Sequence, residues 1–356
     1  MIDRSDNRGE KKSAKESGER HPGLENAKKR PHPKNIELGG LPAAESHRDG
    51  NGKAVYCKRA CYQKNAYQVH MLRNPMKKVN LKQNIENRQP MKRFGVVLLT
   101  GASSGIGREL AYALAPQAEK MVLVARRTEK IEDLSADLSV RFGTSAFALS
   151  ADLSVPGAAE RVFAEAKILA GSAPDMLVND AGIGFQGDAS EISVESETRM
   201  IRLNVESLTV LSKLALREMY AKRHGLVLNI ASVAGFQPGP YMAAYYATKS
   251  YVLSYSEALS EEARAHGVRV IAFCPGFVDT EFHLNARSEK GFFRCLFRES
   301  PRTVAWEAVR AVLKGMNGAV VPGRFNRLVL FVERFLSRRF LIRISARILK
   351  GENRRV

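Results

Sequence analysis

A short apolar run that ends in a glycine-rich turn and continues as a helix constrains this 356-residue chain more than any other feature. Phe94 to Thr100 is rich in Val and Leu, as a strand buried on both faces of a parallel sheet should be. It runs into Thr100-Gly101-Ala102-Ser103-Ser104-Gly105-Ile106-Gly107 and then into Arg108-Glu109-Leu110-Ala111, which reads as a helix. Strand, turn and helix in that order gather free backbone N–H groups and the positive end of a helix dipole in one place, which suits a diphosphate. The glycines let the backbone turn tightly and approach a ligand closely. A glycine triplet alone is a weak signal; here it has the flanking elements that the chemistry needs.

A second constellation lies downstream in Asn229-Ile230-Ala231-Ser232-Val233-Ala234-Gly235 and Tyr245-Tyr246-Ala247-Thr248-Lys249. Ser232 supplies a hydroxyl to hold a carbonyl oxygen, and Tyr245 a phenol to donate a proton. Lys249 supplies a charge that makes the phenol more acidic. Unperturbed tyrosine and lysine have pKa values of about 10 and about 10.4, so neither does proton chemistry well at neutral pH alone. A helix over 245–265 puts Tyr245 and Lys249 on one face through their i, i+4 spacing. Each residue also has a plain structural role: strand-end cap, helix packing, surface charge. Tyr-x-x-x-Lys gains its meaning only from the glycine turn upstream.

Together these motifs resemble the short-chain dehydrogenase/reductase family over roughly residues 91 to 323. Four further segments extend the resemblance. Asp152-Leu153 closes a third strand where the family's acid meets adenine. Asn179-Asp180-Ala181-Gly182 is similar to the family's Asn-Asn-Ala-Gly, with Asp180 in place of the second asparagine. Asn204 falls where the family keeps the asparagine that holds a proton-relay water. Pro275-Gly276-Phe277-Val278-Asp279-Thr280 is similar to its segment beside the nicotinamide. The resemblance implies a Rossmann-like, doubly wound α/β fold: one catalytic domain with a parallel sheet and helices on both faces. It implies catalysis by Asn204, Ser232, Tyr245 and Lys249. It implies cofactor contacts from Thr100, Gly101, Ser103, Ser104, Gly105, Ile106 and Gly107, and from Asp152, Leu153, Asn179, Ala181 and Gly182. Tyr245, Lys249, Pro275, Gly276, Val278 and Thr280 complete that set. The Asp180 departure has two readings: a carboxylate that weakens diphosphate binding, or a side chain turned away to cap a turn.

Charge bears on cofactor choice. The second strand, Met121 to Val124, ends in Ala125-Arg126-Arg127. An NAD-selective site places an acid there for the ribose 2′-hydroxyl, and none is present. Two arginines suit a 2′-phosphate, which accepts paired charge-assisted bonds from a guanidinium. The expectation is NADP(H), with NAD(H) still admissible; the plainer alternative is that both arginines are solvated.

The formal charge of +19 suggests a nucleic-acid binder until it is mapped. Residues 1–90 carry net +10 and residues 324–356 net +8, leaving +1 for 91–323. Three regions follow: a basic, mostly polar extension over 1–90, the catalytic domain over 91–323, and a basic tail over 324–356. The extension lacks sustained periodicity and an apolar signal core, so disorder or a misassigned start is expected. Met91-Lys92-Arg93-Phe94 leads directly into the first strand and is a candidate start. Cys57, Cys61 and His70 fall short of four closely spaced zinc ligands, so no metal is expected. Four cysteines form no disulfide framework and fit a reducing cytoplasm, and Cys274 reads as core.

In the tail, Leu328, Phe331, Val332, Phe335 and Leu336 recur at helical spacing opposite Arg327, Arg334 and Arg338. Phe340, Leu341, Ile344 and Ile348 recur opposite Arg343 and Arg347. Such helices over 325–349 lie either on a membrane surface, here the inner face, or packed over the protein's own pocket or a subunit contact. Val321-Pro322-Gly323-Arg324-Phe325-Asn326-Arg327 resembles a bacterial subgroup with a basic C-terminal extension. The resemblance also implies a homodimer or homotetramer through helices near 198–222 and 245–265. Phe282, Leu284, Phe292, Phe293, Leu296 and Phe297 in the segment after Pro275-Gly276 favour an apolar, lipid-like carbonyl substrate such as a 3-oxoacyl compound. The rivals are a sugar-nucleotide epimerase, a non-catalytic cofactor-binding regulator and a nucleic-acid binder.

Overall fold

The computed structural model of the chain describes residues 93–281 and 299–350. The extension with Cys57, Cys61 and His70 lies outside the described residues, as do the aromatic and leucine positions from Phe282 to Phe297. β1 (Phe94–Thr100) turns into α1 (Gly105–Leu114), and β2 (Ala118–Ala125), α2 (Thr128–Phe142) and β3 (Ser145–Ser150) follow. α3 (Ala158–Ala170) then carries the chain back past β1 to β4 (Met176–Asn179). α4 (Val194–Ile201), a π turn at Arg202–Glu206 and α5 (Ser207–Lys222) form one interrupted helix before β5 (Gly225–Ile230). α6 (Ala243–Arg264), β6 (Val268–Phe273), α7 (Pro301–Leu313) and β7 (Gly318–Val320) complete the sheet, and α8 (Arg324–Glu333) and α9 (Arg338–Lys350) form the tail.

Among the described residues the sheet has seven strands in the order β3-β2-β1-β4-β5-β6-β7, every neighbouring pair parallel. The fold is the doubly wound α/β sheet with helices on both faces. Its physical basis is the two-residue period of the strands. Val97 and Leu99 of β1, with Met121 and Leu123 of β2, pack under Leu110 and Leu114 of α1, Leu134 of α2 and Val309 of α7. Val96, Leu98, Val122 and Val124 face the other way, onto Phe163 of α3, Leu211 of α5 and Leu259 of α6. Helix starts are marked by local chemistry. The Ser193 hydroxyl accepts from the Ser196 amide at α4, and Ser300 accepts from Thr303 at α7.

The chain leaves β1 toward β2 on one side and returns by α3 to β4 on the other. The crevice beyond the carboxyl ends of β1 and β4 is therefore the switch point at which such sheets hold ligands.

Candidate active site

The glycine turn sits at that crevice. Ser104 starts α1 without a side-chain cap, and the first turn holds no acid. The amides there are left to a ligand, which is what an anion-binding helix start requires. Gly107 has no room for a side chain: a Cβ would collide with the Gly101 carbonyl and the Asp180 carboxylate. The Asp180 carboxylate lies under the turn and accepts from the Gly107 amide, steadying the loop rather than pointing into solvent. Burial pushes its pKa up to about 7 against the pull of the Lys249 charge and the Gly107 bond. Thr100 straps the same region, its Oγ1 donating to Val178 O (3.3 Å) and accepting from the Asp180 and Ala181 amides (3.1 and 3.2 Å).

Past β2, Arg127 donates Nε and Nη2 to Ser103 Oγ at 3.2 and 3.0 Å, which brings it beside the glycine turn. Its Nη1 pairs with Glu281 at 2.7 Å, and Lys130 reaches the same carboxylate at 3.4 Å. Lys130 and Glu281 are members of this cluster that sequence reasoning missed. The available signals were Lys130 in the first turn after Arg127 and Glu281 directly after Thr280. Arg126 lies 3.8 Å and Arg199 3.1 Å from Asp152, in the loop after β3. Burial works against the Asp152 charge, but the Ser154 hydroxyl and amide, then Arg126 and Arg199, outweigh it and hold the carboxyl below the usual range.

Ser232 follows β5 in extended backbone and leads into a single 3₁₀ turn over Val233–Phe236. That turn rests directly on α6, because a Cβ on Gly235 would stand 2.8 Å from the Lys249 carbonyl. The close approach is what lets residues thirteen apart in sequence meet. Ser232 is hydrogen-bonded to Tyr245, and Lys249 follows one helical turn later, its ammonium 6.0 Å from the Tyr245 ring centre. Lys249 Nζ donates to Ile230 O at 2.7 Å. Burial lowers the Lys249 pKa to about 8, with Asp180 and then Cys274 opposing it. Burial also raises the Tyr245 pKa, which the Ser232 bond only partly offsets. Tyr246 adds to the rise, and Lys249 is not among the groups that shift Tyr245, so the expected lysine-induced acidity is not what sets its pKa here. Cys274 is fully buried, its thiol pushed up to about 12 mainly by burial, as suits a core residue.

Asn204 occupies the π turn, where the Ser207 amide bonds five residues back to Arg202 O. π turns of this kind are frequent at functional sites. Its amide donates to Ile183 O (2.9 Å) and Thr248 Oγ1 (3.1 Å), and its Oδ1 accepts from the Ile183 amide (3.0 Å). Asn179 is likewise structural in position. It donates to Asn229 Oδ1 (2.9 Å) across the β4–β5 pair and to Ser212 Oγ (3.1 Å), while Asn229 donates to Ser256 Oγ (2.8 Å).

A cavity of about 670 Å³ joins these parts. Of the residues expected at the site, Gly101, Ser103, Ser104, Gly105, Ile106, Arg126, Arg127, Asp152 and Leu153 line it. So do Ala181, Gly182, Ser232, Tyr245, Lys249, Pro275, Gly276, Val278 and Thr280. Thr100, Gly107, Asn179 and Asn204 stand behind that wall. Asp180, Met242, Tyr246 and Phe277 also line the cavity, and so do Ile348 and Leu349 of α9. Leu341, Ser345 and Leu349 form the stripe by which α9 packs inward, and Gln186 Nε2 donates to Leu349 O at 3.1 Å. Asn326, at the start of α8, packs against Gly276 and donates to Pro322 O at 3.1 Å. No group of three or more His, Cys, Asp or Glu side chains is placed to hold a metal among the described residues.

The family model of the short chain dehydrogenases matches residues 95–291. An NADP-dependent 3-hydroxy acid dehydrogenase from Schizosaccharomyces pombe is 31% identical over 192 residues, covering 52% of this chain and 72% of that protein. A very-long-chain 3-oxoacyl-CoA reductase from Homo sapiens is 30% identical over 220 residues, covering 60% and 67%. Among solved structures, a short-chain dehydrogenase from Sphingobium yanoikuyae in complex with NADPH superposes with a TM-score of 0.60 at 28% identity, covering 68% of this chain and 94% of that one. The chain belongs to the short chain dehydrogenase family and is an NAD(P)-dependent oxidoreductase acting on the CH–OH/C=O couple.

Proposed function

We propose that the protein reduces the carbonyl of an apolar, lipid-like ketone or aldehyde with NADPH, or oxidises the matching alcohol with NADP⁺. The observation that carries the reading is the Ser232–Tyr245 hydrogen bond, placed on the cavity that also holds the uncapped start of α1 and Arg127. The residues fit a dinucleotide. The α1 amides would take the diphosphate, Asp152 and Leu153 the adenine, and Lys249 the nicotinamide ribose. Arg126 and Arg127 would take the 2′-phosphate. NAD(H) fits the same turn without that last contact. When bound, the nicotinamide supplies or accepts the hydride.

The chain's own residues handle the oxygen and its proton. Ser232 Oγ donates to the substrate oxygen and holds it beside Tyr245. Tyr245 Oη gives that oxygen its proton in reduction and takes it back in oxidation. Lys249 offsets the phenolate charge left behind. Asn204, anchored by its side chain on Ile183 and Thr248, would hold the water that relays protons between Lys249 and bulk. Met242, Phe277 and Leu349 make the substrate end apolar. The human relative is named for a very-long-chain 3-oxoacyl-CoA, which agrees with that lining, and the yeast relative for a 3-hydroxy acid, which supports oxidation or reduction at the same position.

For assembly we favour a homodimer or homotetramer through α5 and α6, where Tyr251 is exposed, stacks on Tyr255 and meets Thr209 Oγ1 at 3.0 Å. The place of action is the cytoplasm, including the inner surface of a membrane. Ketones of graded chain length, followed by NADPH absorbance, test the reaction. Tyr245→Phe should abolish turnover and leave the NADPH Kd within about twofold, because only the proton donor is removed. Retained turnover overturns the assignment.

A further inference from the structure

The tail packs by a narrow stripe and turns its apolar face outward. α8 meets the domain through Asn326, Leu330 and Glu333, which are half-buried. At 100° per residue, Leu328 and Phe331 fall on the opposite side, and Phe335 follows in the turn after α8. They are exposed, Phe335 by 75%, and Phe331 and Phe335 touch edge to face. On α9 the inward stripe is Leu341, Ser345 and Leu349. Phe340, Ile344 and Ile348 run exposed along its flank, and Arg339, Arg343 and Arg347 point away. Residues 324–350 carry eight basic side chains against one acidic, Glu333, which burial holds above the usual carboxylate range. Among the described residues no helix is long and apolar enough to cross a membrane.

We propose that the outer face of α8 and α9 docks on an anionic lipid surface and that an apolar carbonyl substrate enters the cavity from that side. Three observations select this occupant. An exposed apolar flank lies beside a row of arginines on α9 and continues from Leu328 and Phe331 of α8, as in helices that lie in a headgroup layer. A two-fold pairing of this face with a second copy would set Arg339, Arg343 and Arg347 against the same like charges. Ile348 belongs both to the exposed stripe and to the cavity wall, so the lipid-facing surface continues into the substrate end. The entry route rests on the proposed reaction; the docking does not.

The full chain would be floated with phosphatidylcholine vesicles and with vesicles containing phosphatidylglycerol. Wild type and inactive Tyr245→Phe should both float with the anionic vesicles only, less so as salt is raised. Arg339→Glu/Arg343→Glu/Arg347→Glu should reduce binding about tenfold or more. Phe331→Ser/Phe335→Ser should reduce it even at low salt, while NADPH affinity, which reports folding, stays unchanged in both variants. No flotation, or equal flotation of all variants, overturns the docking. So does a dimer by light scattering that Phe331→Ser/Phe335→Ser converts to monomer without any vesicle binding. A long-chain 3-oxo ester should be reduced faster from anionic than from neutral vesicles, and equal rates overturn the entry route. Flotation without turnover of any ketone would remove the proposed reaction and leave the docking standing.

Discussion

Arg127 and Asp180 show how single side chains set the character of this site. Arg127 spends its guanidinium on Ser103 and Glu281, within the cavity that the glycine turn opens. Charge-assisted bonds of this type contribute about 1.5–3 kcal/mol each. Arg127→Ala should therefore raise the NADPH KM about tenfold or more and leave the NADH KM unchanged, as read from initial rates with each nucleotide. Asp180 brings a pH dependence. Its folded pKa of about 7 lies above its unfolded value near 3.8, so its contribution is fully present below that lower value and is lost as pH rises toward 7. Lys249, lowered to about 8 from 10.5, works in the other direction: stability is regained as pH rises from 8 toward 10.5. Relative to Asp180→Asn, the wild type should lose a few degrees of Tm between pH 4 and pH 7 when scanned without nucleotide. A constant difference would show that the Asp180 carboxyl does not titrate there.

At the scale of elements, the site depends on contacts that hold turns against helices. The 3₁₀ turn carrying Ser232 lies on α6 because residue 235 has no side chain. Gly235→Ala must push that turn off the Lys249 carbonyl and move Ser232 from Tyr245. Misplacement of about 1 Å costs up to about 10²-fold in rate, so kcat should fall at least tenfold with the NADPH Kd within twofold. An unchanged kcat would mean that the turn does not position Ser232. What was legible in the sequence is confined to one turn or one helix face: the strand-turn-helix order around Gly101 to Gly107, the shared helix of Tyr245 and Lys249, the bounds of β1 and, to within two residues, those of α6. What it left open depends on contacts between distant segments. Nothing local places Asp180 under Gly107, pairs Asn179 with Asn229, or brings Glu281 to Arg127 across 154 positions. Periodicity identified the apolar positions of the tail. It did not tell that Leu349 would face the cavity while Phe331 and Phe335 face outward, because a period names a face and not its neighbour.

For the whole molecule, charge and architecture divide the chain in the same places. Residues 91–323 are nearly neutral and contain every strand described, while the excess positive charge lies to either side. Every described residue lining the cavity also lies after Phe94. A chain beginning at Met91 should therefore keep the NADPH Kd within twofold and the Tm within a few degrees of the full chain. A large loss of either, by fluorescence titration and thermal denaturation, would assign the first ninety residues a part in the fold. The crevice beyond β1 and β4 has a further consequence. A nucleotide held there would touch segments that follow β1, β2, β4, β5 and β6 together, and so both halves of the sheet. At one hundred times its Kd such a ligand adds about 2.7 kcal/mol to the native state, about a hundredfold fewer unfolded molecules. The lifetime of the protein against proteolysis is thereby tied to the supply of its own cofactor.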